Sequence, residues 1–130
     1  MRILRISFAV ASVPVLLSGC ATMNAPWSEV VGTRYHVAIA DRRPVNIVTI
    51  GDQGGWANNQ PMLVDPGTYR VVVESRPHAG YRGGRQRELQ LTLEPCKRYY
   101  LNAQFDSQVS ADYTPVVDEV ENIGGCRRSA

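Results

Sequence analysis

From residue 33 onward, apolar and polar residues alternate at every second position through most of this chain, and that pattern restricts it to β-structure. Successive strand side chains point to opposite faces, so alternation supplies one face for a core and one for water. The clearest case is residues 67–75, where Tyr69, Val71 and Val73 alternate with Arg70, Val72 and Glu74. Similar patterns predict strands over residues 33–40, 45–50, 62–64, 88–94 and 97–105. Residues 113–123 read two ways. Val116, Val117, Val120 and Ile123 fit one helix face, yet their β-branching and Pro115 favour a strand, which is the assignment made. Between these segments lie turn-forming runs: Gly51 to Gly55, Asp65-Pro66-Gly67, the loop from Arg76 to Arg85, and the polar stretch from Asp106 to Asp112. About six or seven short strands in such an order predict an all-β fold, a small antiparallel β-sandwich.

The first twenty residues follow a different logic. Arg2 and Arg5 precede a mostly apolar stretch from Ile6 to Leu17, and Leu17-Ser18-Gly19-Cys20 closes it. A basic start, a short apolar segment and small residues before a cut make the pattern of a secretory signal. The apolar run is about a dozen residues against the roughly 20 that a spanning helix needs. The last four residues resemble the lipobox of bacterial lipoproteins. That resemblance implies cleavage before Cys20, a diacylglyceryl group on its sulfur and acylation of the new amino terminus. Several acyl chains on one residue anchor durably where a single chain does not. Ala21 stands where an Asp favours inner-membrane retention in that family, so the resemblance implies an outer-membrane position facing the periplasm. The expected organisation is a signal over residues 1–19, a lipidated Cys20 with a short tether over 20–30, and a β domain over 31–130. About ten extended residues reach roughly 35 Å at most, so the domain stays near its membrane.

Composition then narrows the function. The formal charge of +2 is owed to Arg2 and Arg5, and residues 20–130 carry equal numbers of acidic and basic side chains. Long-range attraction to nucleic acid is therefore not expected. With Cys20 assigned to lipid, Cys96 and Cys126 remain of the three cysteines. In an oxidising compartment a disulfide between them is expected. A metal site would need more ligands than this spacing offers, since there is no CxxC and only His36 and His78 are available. No metal or cofactor is expected.

The stretch Leu63-Val64-Asp65-Pro66-Gly67-Thr68-Tyr69-Arg70-Val71-Val72-Val73, continued by the two strands that follow, resembles PEGA-type and related transthyretin-like envelope modules. There a Pro-Gly turn leads into a G-x-Y-x-V-x-V strand. Asp65-Pro66-Gly67-Thr68 stands in place of the namesake tetrapeptide. The resemblance implies a β fold and the class of binding modules.

Chemistry-bearing residues are sparse. No G-x-S-x-G elbow surrounds a serine, His36 falls on the polar face of a predicted strand, and His78 sits in a glycine-rich loop. Glu119 and Glu121 lie two apart on one strand face, which gives proximity without a cleft. No catalytic residue is assigned, and the chain reads as a non-enzyme. The loop from Arg76 to Arg87 is the most suggestive surface. Arg82, Arg85 and Arg87 can grip phosphate or carboxylate in pairs of hydrogen bonds, with Tyr81 beside them. Trp56 offers a stacking face in a second loop. The expected function is a lipid-anchored periplasmic binding or accessory module, its partners the membrane and peptidoglycan, lipopolysaccharide or another envelope protein. Two alternatives stay open: an accessory subunit of a larger envelope complex, and a small cell-wall hydrolase.

Overall fold

The computed structural model describes residues 25–34, 38–54 and 61–127, so Cys20, His36 and Trp56 lie outside the described residues. Among the described residues there is no helix, and eight strands form: β1 (Ser28–Val31), β2 (Arg42–Ile50), β3 (Gln53–Gly54), β4 (Met62–Val64), β5 (Gly67–Ser75), β6 (Gln86–Leu93), β7 (Lys97–Phe105) and β8 (Tyr113–Asn122).

β7 organises the first layer. One of its edges pairs with β8 from Lys97↔Asn122 to Phe105↔Tyr113. The other takes β1 over Glu29↔Arg98 to Val31↔Tyr100, and then the start of β2 over Arg42↔Gln104 to Pro44↔Asn102. β4 lies antiparallel on β1. Beyond Pro44, β2 leaves β7 and pairs with β5, while β6 pairs with β5 along all eight of its residues. The short β3 closes a hairpin on β2. One strand thus belongs to both layers, and the sheet doubles over on itself.

The core fills the space between the layers. Val30, Met62, Tyr99, Leu101, Ala103 and Phe105 come from the first, with Val45, Ile50, Val71, Val73, Leu91 and Leu93 from the second. Burial alternates along β5 and β6 as the side-chain period requires, with Val71 and Val73 fully buried and Arg70 and Gln90 exposed. Residues 113–122 are a strand, as their β-branched content requires. A bulge opposite Tyr100 and Leu101 leaves Asp118 as the extra residue of β8.

Three expectations need correction. The sheet is mixed, because β1 runs parallel to β7. Eight strands form in place of six or seven. Residues 33–40 do not extend as a strand in their described part: Thr33 and Arg34 are irregular and residues 38–40 turn. β1 and β2 lie on the same edge of β7 in opposite directions, so the chain between them must reverse. In the described part of that connection residues 38–41 turn into β2, and Asp41 there has a φ of 59°, in the left-handed region that Asp tolerates. The strand lies just upstream, at Ser28–Val31, so the sheet takes in residues that the sequence assigned to the tether. Gly32 permits this packing. The Val45 amide donates to the Gly32 carbonyl at 2.8 Å, and a Cβ at Gly32 would sit 2.5 Å from the Val45 oxygen.

Cys96 and Cys126 form the expected disulfide, 30 residues apart in sequence with Cα atoms 5.4 Å apart. It closes the end of the molecule where β1 begins. There the Cys96 amide donates to the Trp27 carbonyl at 2.8 Å, and the Ile123 amide donates to the Cys96 carbonyl at 2.9 Å.

Candidate functional site

The β5–β6 hairpin ends in the arginine-bearing loop, and its shape follows from Ser75 and three glycines. The Ser75 amide donates to the Arg85 carbonyl at 2.9 Å, and its hydroxyl accepts from the Arg85 amide at 3.1 Å. The Gly84 amide closes back on the Ser75 carbonyl at 2.8 Å. Gly83 holds a φ of 79°, and a Cβ there would meet the Ser75 carbonyl oxygen at 2.6 Å. At the tip, His78 and Tyr81 exchange backbone hydrogen bonds of 3.1 and 2.7 Å. The intervening Ala79 and Gly80 both have positive φ, as a two-residue hairpin turn of the favoured hand requires.

This tip is folded onto the 106–112 loop. The His78 ring packs on Phe105 with centroids 3.9 Å apart, and its Nε2 lies 3.3 Å from the Ser110 carbonyl oxygen. The Tyr81 hydroxyl donates to the Val109 carbonyl. Beneath them Tyr113 donates its hydroxyl to the Arg85 carbonyl at 2.6 Å, with the Val73 carbonyl oxygen 3.2 Å away. Burial pushes the Tyr113 phenol up to about 12, with Arg87 and Arg85 opposing the shift and Glu74 adding to it. His78 is half-buried rather than a free loop side chain.

The structure separates the three arginines that the sequence grouped. Asp112 takes two of them: Arg85 Nη1 and Arg87 Nη2 both donate to its Oδ1, the latter at 3.0 Å. Among the described residues Arg82 has neither an ion pair nor a hydrogen bond, and it lines a shallow cavity of about 120 Å³ with Ser75, His78, Tyr81, Gly83, Arg85 and Ala111. Arg82 and Tyr81 are exposed there. The cavity offers one unpaired guanidinium, a second that shares its charge with a carboxylate, and an aromatic wall. That set of donors suits a single phosphate or carboxylate group.

The tip has a fixed relation to the start of β1. β1 begins beside Arg98, near the start of β7, whereas His78 stacks on Phe105 at its end. A nine-residue strand spans about 27–30 Å, so the cavity and the start of β1 occupy opposite poles of the domain.

A second polar surface escaped the sequence. On the outer side of the first layer Arg34 bridges Glu119 at 2.6 Å and Glu121 at 3.4 Å, with its guanidinium 4.5 Å from the centre of the Tyr100 ring. Tyr100 donates to Glu121 at 2.8 Å, and Arg98 binds Glu29 at 2.5 Å, which raises the Arg98 pKa further. Glu119 and Glu121 share a face as expected, but they are members of an ion-pair network and not simply solvated. Opposite charges at residues 29, 34, 98, 119 and 121 were visible, although only the pairing of β1, β7 and β8 brings them together. No group of His, Cys, Asp and Glu among the described residues is arranged to hold a metal ion.

Comparison with known protein families, characterised proteins and solved structures finds no match to this chain.

Proposed function

We propose that this protein is a lipid-anchored binding module of the cell envelope, attached through Cys20 to the outer membrane and facing the periplasm. In this reading the hairpin tip contacts an anionic group of an envelope polymer, a peptidoglycan carboxylate or a lipopolysaccharide phosphate. The observation that carries it is the opposition of the two poles. The chain leads from Cys20 into β1 at one end, where the disulfide and Trp27 fix the start of the domain. Arg82 and its cavity lie at the other. A domain tethered at the first pole holds the second away from its own membrane. The interlocked hairpin and 106–112 loop hold Tyr81 and His78 in place before a ligand arrives, so only the Arg82 side chain remains to be ordered on binding.

The test is co-sedimentation of the purified protein with sacculi and, separately, with lipopolysaccharide micelles, comparing wild type with Arg82→Ala. The expected result is retention of wild type on one of these and loss for the variant. Equal sedimentation of the two proteins would overturn the assignment of the tip.

A further inference from the structure

We infer that the hairpin tip docks on an anionic lipid leaflet, with Val109 and Tyr81 entering its head-group layer while Arg82 and Arg85 bind lipid phosphates. This rests on the proposed reading of the tip as an anion site, and it names the surface that carries the anion. The apex of that pole is two tight turns held side by side. Ala79 and Gly80 form the turn of the hairpin, between the bridged His78 and Tyr81. In the neighbouring loop the Ser110 amide donates to the Ser107 carbonyl at 3.2 Å, so Gln108 and Val109 are the central residues of a second turn. Tyr81 ties the two together through its hydrogen bond to the Val109 carbonyl.

The apolar content of this apex is out of place for turns. Such positions favour Gly, Pro, Asn, Asp and Ser. Yet Val109 is 77% exposed, more than any other large apolar side chain among the described residues, and Tyr81 is 39% exposed. Pro77 and Ala79 are exposed beside them. A single exposed valine is ordinary on a protein surface. Four exposed apolar residues on two joined turns form a patch, and patches mark interaction sites. The charge around the patch is one-sided. Residues 76–87 hold four arginines and no carboxylate, and residues 106–112 hold two aspartates, in a chain whose residues 20–130 balance overall. Of the two aspartates, Asp112 is shared between Arg85 and Arg87.

The two sets of residues together select the occupant. Guanidinium groups alone suit the carboxylates of a hydrated polymer equally well, but such a polymer leaves Val109 and Tyr81 in water. A lipid leaflet presents phosphates directly above an apolar layer, so one docked pose serves both sets. Tyr81 suits that depth because its hydroxyl already has an acceptor within the protein. The long arginine side chains reach phosphates while their stems lie along the apolar layer. The shallow cavity beside Arg82, about 120 Å³, has room for the phosphate of one head group. Because β1 begins at the other pole, the leaflet engaged is one that faces the far end of the domain.

The experiment places an environment-sensitive fluorophore on the full chain at the exposed Gln108, through Gln108→Cys, and at the exposed Gln90 of β6 as a control. The protein is held on beads by a carboxy-terminal tag, which leaves the tip free because Cys126 lies against Trp27 at the opposite pole. Vesicles of phosphatidylcholine alone, or enriched in phosphatidylglycerol, are then added. The probe at residue 108 is expected to shift to the blue with the anionic vesicles only, and the probe at residue 90 with neither. Arg82→Ala combined with Arg85→Ala should raise the lipid concentration needed for the shift on the order of tenfold or more. Val109→Asp, at a side chain the core does not use, should raise it on the order of tenfold. Equal shifts with neutral and anionic vesicles, an equal shift at residue 90, or a shift that survives either set of changes would each overturn the inference. No shift at residue 108, while retention on sacculi still depends on Arg82, would overturn it and leave the proposed function standing. No shift together with Arg82-independent retention would remove both.

Discussion

Removing the Cys96–Cys126 bridge gives the most direct measure of what holds this small domain together. The bridge closes a separation of 30 residues, and loop-closure entropy assigns such a cross-link about 3.6 kcal/mol at 25 °C. Few other covalent or metal staples are available to a domain of this size, whose total stability is on the order of 5–10 kcal/mol. For about 100 residues each kcal/mol moves Tm by roughly 4–8 °C, so the double variant Cys96→Ser with Cys126→Ser is expected to melt about 15–25 °C lower. Locally, the Cys96 amide and the Cys126 sulfur both lie against the Trp27 carbonyl, at 2.8 and 3.9 Å. The loss should therefore appear first at the pole where β1 begins. Hydrogen exchange followed by mass spectrometry reads this directly: amides of Cys96 and Ile123 should lose protection before those of Val71 and Val73 in the core. A double variant that melts within a few degrees of wild type would refute the reasoning, as would loss of protection that begins in β5.

Asp112→Asn removes the carboxylate that occupies Arg85 and Arg87. The two ion pairs are about half exposed, so stability should change by about 1 kcal/mol or less while retention on sacculi or lipopolysaccharide rises. Unchanged retention beside a functioning Arg82 would show that Asp112 does not limit the tip. The raised Tyr113 pKa fixes the sign of an alkaline effect. The folded state keeps this proton up to about pH 12 while the unfolded chain loses it near pH 10, so its stabilisation is complete below pH 10 and is lost as pH rises to 12. Denaturant midpoints across that interval should fall for wild type and fall less for Tyr113→Phe. Parallel slopes for the two proteins would argue against a buried phenol.

How far the sequence reached depended on how local each feature is. β5 and β7 were legible to the residue, because period-two alternation is bounded on both sides by Pro, Gly or polar turns. β8 was legible from its β-branched residues and Pro115. β1 was not, because all four of its residues are buried and a continuous run carries no alternation. The alternation of residues 33–40 then offered a false strand next to it. The parallel pairing of β1 with β7 joins residues 69 apart, a distance at which local pattern says nothing. At the tip the sequence found the right loop but not its electrostatics. Arg85 and Arg87 meet Asp112 from 27 and 25 residues away, and only the β7–β8 connection brings that carboxylate to the hairpin. Arg82, two residues beyond the turn, keeps its charge available because that loop has no carboxylate within reach of it.

Lipid attachment at Cys20 is tested most directly by mass spectrometry of the amino-terminal peptide of protein extracted from membranes. The predicted result is a chain beginning at Cys20 and carrying the mass of a diacylglyceryl group and an amide-linked acyl chain. A mature chain that begins elsewhere, or an unmodified Cys20 thiol, would contradict it.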